Sequence, residues 1–143
     1  MDTAIITSFL APVLALIMWS LIMWIWLYAL RLPALMKMGP DGTSDDVKNP
    51  DGQWKKIVPL KIQAPAHNYN HLMEQPTVFY ALMVYCALTG NVGGIIPMLA
   101  WAYVGLRVVH SLIQSFVGPV QLRFAVFSLA TFCLFGMVAA VLL

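Results

Sequence analysis

The stretch HNYNHLMEQPTVFY, residues 67–80, runs from a polar segment straight into an apolar one. It carries Asn70 and Glu74 to the edge of a run, VFYALMVYCALT, that reads as membrane-embedded. Glu74 is the only glutamate; the other acids are Asp2 and four aspartates between the first and second apolar segments. An ionised side chain at the centre of a spanning helix costs roughly 2.5 kcal/mol or more, so an acid placed there marks a functional site by default. Pro76, two residues on, removes a backbone donor and bends a spanning helix where it falls.

Outward from this stretch the composition sets the class. The chain has 143 residues, 61% hydrophobic and 10% charged, with a mean hydropathy of +0.81. A soluble domain carries about 25% charged residues, so this chain lacks the means to clothe a water-facing surface. It is an all-α integral membrane protein of one domain, residues 1–143. The net charge of +2 gives no reason to invoke nucleic acid. Cys86 and Cys133 both lie in apolar runs, and neither their spacing nor that of His67 and His71 makes a metal site. The N-terminus has no basic region and no small-residue cleavage site, so the first apolar run reads as a retained anchor.

Four spans follow from the apolar runs, at about 5–35, 64–89, 95–117 and 120–143, since a spanning helix needs about 20 residues. Trp19, Trp24, Trp26 and Tyr28 in the second half of the first span suit an interface. Arg31 near its end either reaches headgroups or turns inward to hold an anion. Residues 38–61 form the one extended polar section, with turn signals at Gly39-Pro40, Asp41-Gly42, Asn49-Pro50 and Asp51-Gly52. Lys37, Lys48, Lys55, Lys56 and Lys61 in and beside it place this loop in the cytoplasm by the positive-inside rule, and both termini outside.

That topology gathers Arg31, Asn70, Glu74, His110, Gln114 and Arg123 in the cytoplasmic half of a four-helix bundle. Asn70 and Glu74 are four apart and share a helix face. His67 and His71 share an offset face, where solvation at the interface accounts for them. Arg107, His110 and Gln114 recur at i, i+3 and i+7, one stripe of the third span. Two readings stand. Arg107 and Glu74 pair as bundle glue, or the polar residues line a pocket for a charged, peptide-like molecule. In the second reading Glu74 accepts from an ammonium, Asn70 offers a donor and an acceptor, and Arg31 and Arg123 fix carboxylates. A guanidinium beside a bound thiol also raises its thiolate fraction.

These residues resemble the MAPEG family, the membrane-associated proteins of eicosanoid and glutathione metabolism. Asn70, Glu74 and Pro76 in NHLMEQPTVFYAL, Arg107-Val-Val-His110, and Gln121-Leu-Arg123-Phe124 carry the resemblance, in family order and over nearly the whole chain; the NHLMEQPTVFYAL wording most resembles the bacterial branch. The resemblance implies a homotrimer in a bacterial inner membrane, binding glutathione as co-substrate between subunits. Arg31, Asn70, Glu74, Arg107 and His110 would line or support that site, with Gln114 where several members have a tyrosine. Arg123 would stabilise the thiolate, and a lipophilic electrophile would arrive through the membrane lipids. The implied activity is a glutathione-dependent transferase or peroxidase. The alternative is a non-catalytic lipid-binding protein or an accessory subunit of a larger membrane complex. The chain departs from the family in four places. His67, Asn68 and Tyr69 stand where an arginine is common, the asparagine-to-glutamate spacing is four rather than three, Gln114 replaces the tyrosine, and Phe124 replaces a serine. Each lost contact is worth about 1–3 kcal/mol.

Overall fold

The computed structural model describes residues 2–36 and 60–143. The polar section expected at 38–61 lies outside the described residues except for Leu60 and Lys61, which are already helical. The described chain is all-helical: α1 Thr3–Met36, α2 Leu60–Glu74, α3 Pro76–Thr89, α4 Ile96–Ser115 and α5 Val120–Leu142. Three of these, α1, α4 and α5, are each long and apolar enough to cross a membrane. The segment expected at 64–89 is instead two helices, because Pro76 interrupts the hydrogen-bond ladder. Gln75 between them keeps right-handed helical dihedrals, φ −62° and ψ −38°, so the chain passes through the break without reversing.

Each helix buries a narrow seam. On α1 the buried positions from Phe9 to Leu27 are Phe9, Pro12, Leu16, Ser20, Met23 and Leu27, spaced three or four apart as in knobs-into-holes packing, with Ala34 seven residues further on. Phe79, Met83 and Cys86 of α3 and Ala130, Leu134 and Met137 of α5 complete the core around Ala100 and Tyr103 of α4. The other faces expose leucine, isoleucine, valine and phenylalanine, including Leu14, Ile25, Phe124, Phe132 and Phe135. Bare apolar faces around a packed seam are what a lipid solvent permits, since lipid tails wet them as well as protein does. α4 is the most enclosed of the three long helices, and it makes its most extensive contact with α5.

Helix lengths place the levels of the bundle. At ~1.5 Å per residue, the 20 residues of α4 span ~30 Å, the 34 of α1 ~51 Å, and α2 with Gln75 and α3 ~45 Å. The start of α1 meets the turn before α4, where Ala4, Ile5, Ser8 and Phe9 share a cavity with Val92 and Pro97. The surplus of α1 therefore lies at the other end, where Trp26 already packs against Phe116, just past α4 (ring centroids 5.3 Å).

The α4–α5 hairpin is sharp. The Gly118 N–H donates to the Ile113 carbonyl at 2.7 Å and the Val117 N–H to the Gln114 carbonyl at 3.2 Å, a Schellman closure. Its left-handed position, usually glycine, is Val117 at φ 57°, a conformation costing about 1–2 kcal/mol for a residue with a β-carbon. Glycine is needed at the next position for space: a Cβ on Gly118 would lie 2.9 Å from the Ile113 carbonyl oxygen and 2.7 Å from its Cγ2. Gly118→Ala is expected to destabilise the subunit by about 1–3 kcal/mol, read as a lower apparent unfolding midpoint in detergent; an unchanged midpoint would show that the hairpin relaxes freely.

Candidate functional site

The site grows from the break at Pro76. Pro76 has no N–H for the Leu72 carbonyl and its ring pushes the preceding turn aside, and in that displaced turn the neighbouring His71 carbonyl takes a donor from another helix. Arg107 of α4, completely buried, supplies that partner. Its Nη2 donates to the His71 carbonyl at 2.7 Å, and its Nη1 to Gln75 Oε1 at 3.3 Å. The Gln75 amide then donates through Nε2 to Thr131 Oγ1 of α5 at 2.7 Å, and the Thr131 hydroxyl donates to the Phe127 carbonyl. The guanidinium also lies over the Phe127 ring, 5.7 Å from its centroid. One arginine thus ties α4, the broken α2–α3 segment and α5 together.

Glu74 is not its bonded partner, and the expected Arg107–Glu74 pair is replaced by these contacts. The reason is angular. Successive helical residues are turned by ~100°, so the Gln75 side chain reaches inward to Arg107 while the side chain of Glu74, the residue before it, is carried outward. The Glu74 side chain is 69% exposed, and its Oε2 lies 3.2 Å from His71 Nδ1. Asn70, one turn back on the face it shares with Glu74, is also exposed.

Beside this outward face lies a groove of about 190 Å³ lined by His71, His110, Val120, Arg123, Phe124 and Phe127. His110 is buried and packs against the His71 ring edge-on, with centroids 6.2 Å apart. Arg123 is half-buried in the first turn of α5. The groove thus joins an imidazole–carboxylate pair to a guanidinium, with Phe124 and Phe127 as its apolar wall.

The remaining candidates lie elsewhere. Gln114 is buried inside the subunit and does not line the groove. Arg31, half-buried, lines a separate groove with Leu27, Tyr28 and Leu35. Within one chain, then, His110 and Arg123 share a groove, Asn70 and Glu74 flank it, Arg107 braces it from inside, and Arg31 stands apart. The sequence reading gives His71 only solvation at the interface and does not single out Gln75 or Thr131. It also passed over the buried Asn68–Ser111 contact, in which the Asn68 amide donates to the Ser111 hydroxyl between α2 and α4. The signal for His71 was present: a histidine three residues before a glutamate on a helix meets it.

The family model for the MAPEG family matches residues 9–143. The chain belongs to the MAPEG family. No curated protein and no solved structure matches it. In this MAPEG protein the three-residue spacing to the glutamate, noted above as the family's, is held by His71 and Glu74 rather than by Asn70.

Arg107 and Glu74 contribute differently to stability. Arg107→Ala strips donors from the His71 carbonyl and from Gln75 and should cost several kcal/mol, each bond to a charged group being worth about 1.5–3 kcal/mol. Glu74→Gln should leave the unfolding midpoint in detergent nearly unchanged. If Glu74→Gln destabilised as much as Arg107→Ala, the outward placement of Glu74 would be wrong.

Proposed function

We propose that this MAPEG protein is a glutathione-dependent transferase or peroxidase that acts on a lipophilic electrophile, as a homotrimer with its sites between subunits. The observation that carries the reading is the outward face of α2. Asn70, His71 and Glu74 are exposed on one subunit at the level of the Arg123 groove. Hydrocarbon does not solvate a carboxylate, so a second copy of the chain, with a polar ligand between the copies, is the natural cover. The lysines of the 38–61 section support a cytoplasmic placement of this end, in the inner membrane of a bacterium.

In this reading Glu74 uses its Oε1 for the ligand's ammonium, since Oε2 faces His71. Asn70 orients the peptide through its amide, and Arg123 holds the thiolate by charge. The electrophile enters from lipid along Phe124 and Phe127. Arg107 serves the site indirectly, by fixing the turn from which His71 and Glu74 project.

One observation favours the second reading, a lipid-binding or accessory subunit without catalysis. Gln114 is turned inside and Phe124 is 70% exposed on the groove's rim, so neither replaces the polar contact that the family's tyrosine and serine would give. Calorimetric titration of glutathione into the detergent-purified protein decides between them. Binding in the micromolar to low-millimolar range that Glu74→Gln loses supports the enzyme; no binding leaves the accessory reading. Arg123→Ala should abolish conjugation while the oligomer, measured by light scattering, stays intact; unchanged turnover in that variant removes Arg123 from the chemistry.

A further inference from the structure

We propose that His71, oriented by Glu74, is the proton acceptor that generates the thiolate in the Arg123 groove. The inference rests on the thiol-dependent reading above and deepens it. Arg123 stabilises a negative sulfur but has no capacity to take the proton, because a guanidinium stays protonated in proteins. A separate acceptor is therefore required within reach of the same groove. Of the described groove residues, only His71 and His110 are acceptors of that kind.

Geometry selects His71. Its Nδ1 lies 3.2 Å from Glu74 Oε2, and a carboxylate at that distance favours the tautomer that carries its proton on Nδ1. Nε2 is left with its lone pair, on a ring that lines the groove with Arg123. A carboxylate that fixes the tautomer and steadies the imidazolium is the arrangement by which histidine serves as a general base. His110 has no such carboxylate; it is buried, and its ring packs against His71 and Phe127. The charged and titratable groups around His71 are Glu74 on its own helix, Arg107 and His110 from α4, and Arg123 from α5. Arg107 binds the His71 backbone carbonyl, so the main chain behind the imidazole is held while the ring is free to work.

The step balances as an addition. The thiol S–H bond breaks, its proton moves to Nε2, and the electron pair stays on sulfur beside Arg123. Sulfur then forms a bond to carbon of an epoxide or an activated alkene. The electron pair displaced onto oxygen or carbon takes the proton back from the imidazolium. No oxidant or reductant is consumed, and His71 ends as it began.

The test uses the whole protein in detergent, with glutathione as the probe. Calorimetry measures binding, and stopped-flow ultraviolet absorbance measures thiolate formation, across a pH series. His71→Gln keeps the backbone carbonyl that Arg107 grips, so it should fold and bind glutathione. Thiolate formation should slow by about 100-fold or more and follow hydroxide concentration instead of the wild-type profile. His71→Ala should regain rate when free imidazole is added, which a structural role would not produce. Arg123→Ala should instead lose the thiolate at equilibrium. Normal binding with an unchanged rate and pH profile in His71→Gln overturns the assignment of His71 and leaves the enzyme reading standing. Failure of the wild-type protein to bind glutathione overturns both.

Discussion

A buried guanidinium satisfied mainly by uncharged acceptors is the interaction on which the rest of this bundle depends. Arg107 sits wholly inside a membrane subunit, where an unpaired charge is costly. A carboxylate partner would have looked like the simple solution. Instead a proline-broken helix supplies a backbone carbonyl, a neighbouring glutamine supplies an amide oxygen, and an aromatic ring lies against the cation. Arginine suits this task because its planar fork points separate N–H groups at separate acceptors, which a lysine ammonium on a flexible stem does less well. The proline and the arginine act on the same turn: Pro76 breaks the helix after Glu74, and Arg107 holds the displaced turn through the His71 carbonyl and Gln75.

That arrangement divides the polar residues of α2 into two populations. Asn68 faces inward and bonds Ser111, and Gln75 after the helix faces inward to Arg107 and Thr131. Asn70, His71 and Glu74 face outward. The inward set holds three helices together, so the outward set is not needed for the subunit's own packing. Polar side chains that packing does not need, at the edge of hydrocarbon, are the ones available to a ligand or a second copy.

Much of the fold was legible because lipid imposes simple rules. Long apolar runs and a composition with only 10% charged residues mark a helical membrane chain without any pairing argument. Pro76 also announced its bend. Of the two readings of Arg107, the pair with Glu74 rests on opposite charge alone and omits the ~100° turn per residue, which separates Glu74 from Gln75 although they are adjacent in sequence. Gln75 and Thr131 carried no periodic signal: Gln75 is one of many polar residues in HNYNHLMEQPT and Thr131 stands in an apolar run, and only the packing of the helices brings them together. His71 was assigned to solvent at the interface, which its exposure still allows. What the sequence could not reveal was that its neighbour across the groove is Arg123.

Arg31 illustrates how level, as well as face, decides a site. Trp26 meets Phe116 just past the end of α4, and Arg31 lies five residues further along α1, ~7.5 Å beyond that level at the helical rise. Arg123, by contrast, sits inside the bundle, one turn into α5. The two guanidiniums line different grooves of one subunit, one at the rim formed by the overlong α1 and one below it. A ligand held by both would have to bridge two levels or two copies of the chain. Under the glutathione reading proposed above, an extended tripeptide would place a carboxylate near the rim and its sulfur at the depth of Arg123 and His71. The surplus length of α1 and the break in α2–α3 are then parts of one design: the first raises a cation to the interface, and the second turns an imidazole and a carboxylate outward below it.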